Sequence, residues 1–202
     1  MDIRPYQPRD LPALYRICLA TGAAGADASA LYRDGLLVGH VYAAPYAILS
    51  PQCCFVGEDG RDVGGYIVGA SDTREFERRL EIEWWPDLRR AHPLLAADGR
   101  ELKFDLLMMR LIHRPFLAPQ GICSAYPSHL HINLLPGLQG RGNGRRLVDT
   151  WLARMRELGS PGAHLAVGTA NARAVAFYRR YGFGEIERSG PDNSIVWFGI
   201  RL

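Results

Sequence analysis

Residues 128–144 read SHLHINLLPGLQGRGNG. His129, His131 and Asn133 alternate onto one face of a strand. The glycine-rich turn Gln139–Gly144 (QGRGNG) follows, and then a helix that is apolar at Leu147, Trp151, Met155 and Leu158 and is closed by Gly159 and Pro161. Glycines between a strand and a helix let the backbone turn sharply and bring successive N–H groups against a phosphate. The helix N-terminus adds partial positive charge there. The stretch suits a diphosphate; the plainer alternative is a connecting loop that merely contains glycines.

Two common nucleotide folds fail at this stretch. A dinucleotide fingerprint needs GxGxxG, but Arg145 stands where the last glycine would follow Gly140 and Gly142. A P-loop needs a Gly-Lys pair, and the only lysine in the chain is Lys103.

Outward from the turn, the C-terminal half continues as strand AHLAVG, a helix, and a last pair of strands around GEIERS and SIVWFGI. On the N-terminal side, Leu11, Leu14, Tyr15, Cys18 and Leu19 predict an amphipathic helix with Asp10 as N-cap and Pro12 in its first turn, stopped by Gly22. QCCFVGED and VGGYIVGAS predict a hairpin joined by DGRD. Between about Asp72 and Tyr126 the strand rhythm breaks. Phe76, Leu80 and Trp84 predict one helix ended by Pro86. Asp98 and Glu101 predict a capping box opening a second helix, whose run LKFDLLMMRLI, apolar on nearly every side, is expected to be deeply buried. Such a piece is too short to hold its own core. The expectation is one α/β (α+β) domain over residues 1–202 with a helical insertion at about 74–126.

The 202 residues are 48% hydrophobic and 22% charged, enough for a sizeable core. The net charge of +3 is small and its arginines are dispersed, which argues against a nucleic-acid footprint. Cys18, Cys53, Cys54 and Cys123 lack CxxC spacing, the charged N-terminus MDIRPYQPRD is unlike a signal peptide, and no apolar run reaches membrane-spanning length. A cytoplasmic protein with free thiols is expected. No metal is expected either, because the HxH pair His129 and His131 has no third ligand at matching spacing.

Leu134 and Pro136, followed by Gln139, Gly142 and Gly144, resemble the Q/R-x-x-G-x-G/A coenzyme A signature of the GNAT (GCN5-related N-acetyltransferase) superfamily. Asn171, Ala174, Phe177, Tyr178 and then Gly182-Phe183 resemble its N-x-x-A-x-x-F-Y-x-x-x-G-F motif. The resemblance implies a mixed, mostly antiparallel sheet flanked by helices, with two splayed central strands and the insertion between the third and fourth strands. It also implies acetyl-CoA as cosubstrate. The pantetheine arm would pair with Leu134 and Leu135, and the diphosphate with the amides of Gln139, Gly140, Arg141, Gly142, Asn143 and Gly144, assisted by Arg141 or Arg145. By the same resemblance Asn171, Ala174, Phe177 and Tyr178 would also bind the coenzyme. LYRICLATG, CCFVGEDGRDVGGYIVGASDT, Trp84 followed by Pro86, and IVWFGIRL are further similar to the acetyltransferase-like C-terminal domain of O-GlcNAcase and its stand-alone bacterial relatives. The coenzyme loop is eroded in the animal domain and whole here.

Acyl transfer to an amine needs orientation, a deprotonated amine and a proton for the leaving thiolate. Tyr178 is the candidate proton donor; packing beside Phe177 is the alternative. His129 and His131 are candidate bases, against a purely structural role; Glu81, Glu83 and Asp105 are lesser candidates, against a solvated helix face. Trp84 and Trp85 either roof an acceptor pocket or pack in the core. The expected function is direct transfer of an acetyl group from acetyl-CoA to an amine of a small molecule or protein. The alternative is a pseudo-acetyltransferase that binds acetyl-CoA and acts as an interaction module. Acceptor identity and oligomeric state are not legible.

Overall fold

The computed structural model describes residues 1–60, 62–94 and 103–202. Among these residues seven strands form one sheet, in the order β1-β2-β3-β4-β5-β7-β6. The strands are β1 (Asp2–Pro5), β2 (Phe55–Asp59), β3 (Asp62–Ala70), β4 (Ser128–Leu134), β5 (Gly162–Gly168), β6 (Gly184–Ser189) and β7 (Ile195–Arg201). Every neighbouring pair is antiparallel except β4 and β5. The expected hairpin is β2–β3. The edge strand β1, four residues long and ending in proline, carries too few residues to show an alternation.

Helices cover both faces. α1 (Leu11–Ala20), α2 (Leu37–Tyr42), α3 (Ala44–Leu49), α4 (Thr73–Arg79), α5 (Trp85–Ala91) and α6 (Lys103–His113) lie with Tyr66 and Val68 of β3 in one core, around Leu14, Ile17 and Ile112. The other core joins Ile67 and Leu130 to Leu147, Trp151 and Met155 of α8 (Asn143–Glu157) and to Tyr178 of α9 (Ala172–Tyr181). The strand period of two sends Tyr66 and Val68 one way and Ile67 the other. Gly69 lets Trp151 approach: a Cβ there would lie 2.6 Å from the indole and 2.2 Å from the His129 carbonyl oxygen.

Several local expectations change. Asp10 does not cap α1. Its carboxylate instead accepts from the Gln7 amide (2.8 Å) and from Arg4 (2.7 Å), because a preceding 3-10 turn, Pro8–Asp10, moves the cap upstream. The helix through Phe76 and Leu80 does not end at Pro86. A π-helical turn, Leu80–Trp84, realigns the backbone, and Pro86 falls in the first turn of α5, where its missing N–H has no helical acceptor to lose. The capping box at Asp98 and Glu101 lies outside the described residues. α6 is not deeply buried: only Asp105, Met108 and Ile112 are, and Leu107 is exposed. The run was apolar in composition, but its helical period puts those three residues on the inner face. α7 (Gln120–Ala125) leads back into β4. No helix of the described residues is long and apolar enough to cross a membrane.

Candidate functional site: a cleft where two strands part

β4 pairs with β5 only at Ser128↔Ala163 and His129↔His164, while β5 continues along β7 as far as Gly168. From Leu130 onward the β5-facing edge of β4 meets no strand. The opening is a cleft of ≈ 600 Å³, bounded by Leu134 at the end of β4, the turn before α8, one face of α9 and the Ala24–Ala26 loop.

The turn is shaped from within. The Leu135 amide donates to the Gly64 carbonyl (2.9 Å), a 3-10 turn covers Pro136–Leu138, and the buried Asn143 side chain donates to the Leu138 carbonyl (2.9 Å). Gly140 and Gly142 have φ of +76° and +77°, a region that L-residues with side chains avoid. A Cβ at either would meet nothing within 4 Å, so both glycines are demanded by the turn and by what approaches it, not by protein packing. Gly142 precedes α8 without a side-chain cap. The Gln139 amide is spent on the Pro136 carbonyl (3.2 Å), whereas among the described residues no hydrogen-bond partner takes the amides of Gly140 to Arg145. These donors point their partial positive charge outward from a helix start. They suit the phosphates of a coenzyme; Gln139 contributes its side chain instead, donating to the Leu134 carbonyl (2.5 Å) and accepting from Arg173.

On the opposite wall Asn171 caps α9 by accepting from the Ala174 amide (3.0 Å). Phe177 leans towards Gly144, where an added Cβ would stand 3.4 Å from its ring. Tyr178 packs against Phe177, Phe183 and Phe198, and burial pushes its phenol well above its ordinary value, so it stays protonated. Its hydroxyl has no hydrogen-bond partner among the described residues, and the residue borders the cleft.

The expected residues do not all converge. Leu134, Gln139, Gly140, Gly142, Gly144, Arg145, Asn171, Ala174, Phe177 and Tyr178 line the cleft; Leu135, Arg141, Asn143, His129 and His131 do not. Leu135 is bound to β3, Asn143 is turned inward, and Arg141 is exposed. The Arg145 guanidinium lies 5.3 Å above the Tyr181 ring.

The histidines form a network beside the cleft. His129 Nδ1 is 2.8 Å from Thr73 Oγ1, and its Nε2 is 3.0 Å from the Tyr46 hydroxyl, which is also 3.1 Å from His131 Nε2. Burial, with His164 nearby, pushes His131 down to about 4 and His129 well below the imidazole range, so both are neutral near pH 7. The next residue on the same face, Asn133, lines the cleft and donates to Thr21 Oγ1 (2.5 Å).

The insertion carboxylates are occupied elsewhere. Glu81 pairs with Arg89 (2.8 Å) and Glu83 with Arg79 (2.7 Å), both at the surface. Asp105 departs from the solvated face expected of it: it is buried and accepts from the amides of Arg33 (3.0 Å) and Asp34 (3.0 Å). Trp84 donates to the His40 carbonyl (2.9 Å) and Trp85 is buried, so neither borders the cleft.

Thr21, Arg173 and Arg180 line the cleft and were not foreseen. The two arginines stand seven apart on α9, two helical turns, a spacing that was readable. Tyr46 and Thr73 carried no sequence signal.

A profile of the Acetyltransferase (GNAT) family matches residues 121–183, the span from α7 through the cleft to Phe183. The crystal structure of SsHAT is 37% identical and superposes with a TM-score of 0.89, covering 99% of this chain and 97% of that one. Protein O-GlcNAcase of Rattus norvegicus is 24% identical over 210 residues, 99% of this chain but 22% of that protein, so the chain spans about a fifth of that relative's length. Mycothiol acetyltransferase of Propionibacterium freudenreichii is 43% identical over 51 residues, 25% of this chain and 16% of that protein. With the parted strands, the glycine turn and the whole-length likeness to SsHAT in agreement, the chain belongs to the GNAT acetyltransferase family.

Proposed function

We propose that the chain transfers an acetyl group from acetyl-CoA directly to an amine acceptor, acting as one domain in which the helices between β3 and β4 are an insertion. One observation carries this reading: at the mouth of α8, the amides of Gly140 to Arg145 are unspent and adjoin a cleft opened by the parting of β4 from β5. The amides would hold the diphosphate, with Arg145 and Arg173 as counter-charges, and the free edge of β4 near Leu134 would hold the pantetheine amides. Tyr178, kept protonated by burial, would give a proton to the departing thiolate.

A second reading, a module that binds acetyl-CoA without turnover, is favoured by the weak basicity of His129 and His131. Two measurements separate them. Saturating acetyl-CoA at 100 times Kd stabilises the fold by about 2.7 kcal/mol, a rise in Tm of about 5–10 °C for a chain of this size. Thiol release is then followed over a panel of amines. A Tm unmoved by acetyl-CoA refutes both readings; stabilisation with no amine-dependent thiol release refutes the transferase.

A further inference from the structure

The hydrogen bonds beside the cleft have only one consistent direction. Thr73 Oγ1 lies 2.6 Å from the Pro127 carbonyl oxygen, and a carbonyl only accepts, so the single hydroxyl proton points there. The same oxygen is 2.8 Å from His129 Nδ1 and must accept from it. A neutral imidazole protonated at Nδ1 has a lone pair at Nε2, so the Tyr46 hydroxyl donates to His129. The Tyr46 oxygen is then left to accept from His131 Nε2–H. His131 is therefore unprotonated at Nδ1, and among the described residues no group is hydrogen-bonded to that nitrogen. The Pro127 carbonyl, just before β4, thus fixes the state of an imidazole four residues further along the chain. Tyr46 is itself clamped, stacked on Phe76 with ring centroids 4.5 Å apart.

We propose that Tyr46 and Thr73 are positioning residues that hold His131 as its Nε2–H tautomer, and that His131 Nδ1 takes, through water, the proton of an amine attacking in the cleft that Asn133, the next residue on the same strand face, lines. The inference rests on the transferase reading above. As the new C–N bond forms and the C–S bond breaks, one N–H proton passes to Nδ1 and the thiolate receives the Tyr178 proton. The resulting imidazolium keeps its Nε2–H bond to Tyr46 and afterwards returns its extra proton, through solvent, to the Tyr178 phenolate. Protons and charge balance without a metal or a covalent acyl-protein. A base in this setting suits a nitrogen acidified by bonding to the acyl carbon better than a free ammonium, so the acceptor must enter as a neutral amine. The groups around the network are His164 on β5, Tyr42 on α2, and Arg74 and Glu77 on α4; among the described residues no carboxylate acts on either imidazole of the pair.

Nitrogen-15 NMR of the free protein tests the arrangement without turnover, since protonated and bare imidazole nitrogens resonate far apart. His131 is expected to be protonated at Nε2 and His129 at Nδ1; the reverse in either overturns the proposal even for an active protein. Tyr46→Phe keeps the stacked ring and removes only the oxygen. It is expected to lower kcat by at least about 10-fold, part of the 10²–10⁴ ascribed to general acid–base catalysis, while KM for acetyl-CoA and the stabilisation by acetyl-CoA stay unchanged. An unchanged kcat overturns the proposal. If acetyl-CoA fails to bind at all, the proposal falls with the transferase reading, and the tautomers then report separately whether the network itself was correctly assigned.

Discussion

On one face of β4, Leu130 packs among Leu147, Trp151 and Met155 of α8; on the other, His129 and His131 meet Tyr46 of α3 and Thr73 of α4. The first face seats the helix whose start offers the free amides. Its order comes from apolar burial, which is non-directional and indifferent to pH. The second depends on hydrogen-bond directions and on imidazoles that stay neutral, and each member is useless if a neighbour changes protonation. A rigid apolar footing lies beside a polar network of fixed polarity; on the proposed reading this is a division of labour, in which the turn seated by the first would hold the coenzyme and the second would handle the proton.

The largest expected effect tests the apolar footing. Trp151 is fully buried, and its indole N–H donates to the Cys53 carbonyl (3.0 Å). Trp151→Ala should cost about 3–5 kcal/mol through lost contacts and a residual cavity, a fall in Tm of roughly 6–20 °C by calorimetry. If the loss is within 1 kcal/mol, α8 is not anchored as described.

A smaller effect isolates the turn from its footing. Gly142→Val introduces a β-branched residue at a φ of +77°, costing about 1–2 kcal/mol of backbone strain, yet a Cβ there touches no protein atom within 4 Å. The variant should fold and lose the stabilisation by acetyl-CoA. A full acetyl-CoA shift in folded Gly142→Val would mean that the phosphates do not sit at this turn.

Acid should find the polar wall first. His131 is held at about 4 against an ordinary value of 6.5, and His129 lies lower still than the usual range. Between those values the unfolded chain binds protons that the folded chain refuses, so stability is complete above pH 6.5 and falls as pH drops towards 4. Denaturant midpoints measured across that window should decline, and His131→Gln should flatten the decline. An equal slope in the variant would show that His131 is not buried as a neutral base.

What could be read in advance divides along the same line. Much of the cleft lining was legible because its pattern is local: glycines where φ must be positive, a helix start, and the face of α9 carrying Asn171, Ala174, Phe177 and Tyr178 all lie within about fifty residues of one another. The histidine pair was legible as a face of a strand, but its partners were not, since Tyr46 stands 83 positions from His129 and Thr73 stands 56. Nothing in a tyrosine on a six-residue helix announces which distant imidazole it will meet. The π-turn at Leu80–Trp84 was hidden for another reason: Pro86 reads as a stop unless the register shift before it is known.

Asp105 offers the gentlest test of whether the walls are independent. Buried on α6, it ties down the Arg33–Asp34 loop through backbone amides, on the side of the sheet away from α8. Asp105→Asn retains one accepting oxygen and replaces the other with a donor facing a donor, which should cost about 1–3 kcal/mol and lower Tm by a few degrees. Because no part of the turn or of α9 rests on that contact, the additional Tm rise on adding acetyl-CoA should equal that of the parent protein. A diminished rise would show that order in the insertion reaches the cleft lining through β3 and β4, and the two faces would then have to be treated as one coupled unit.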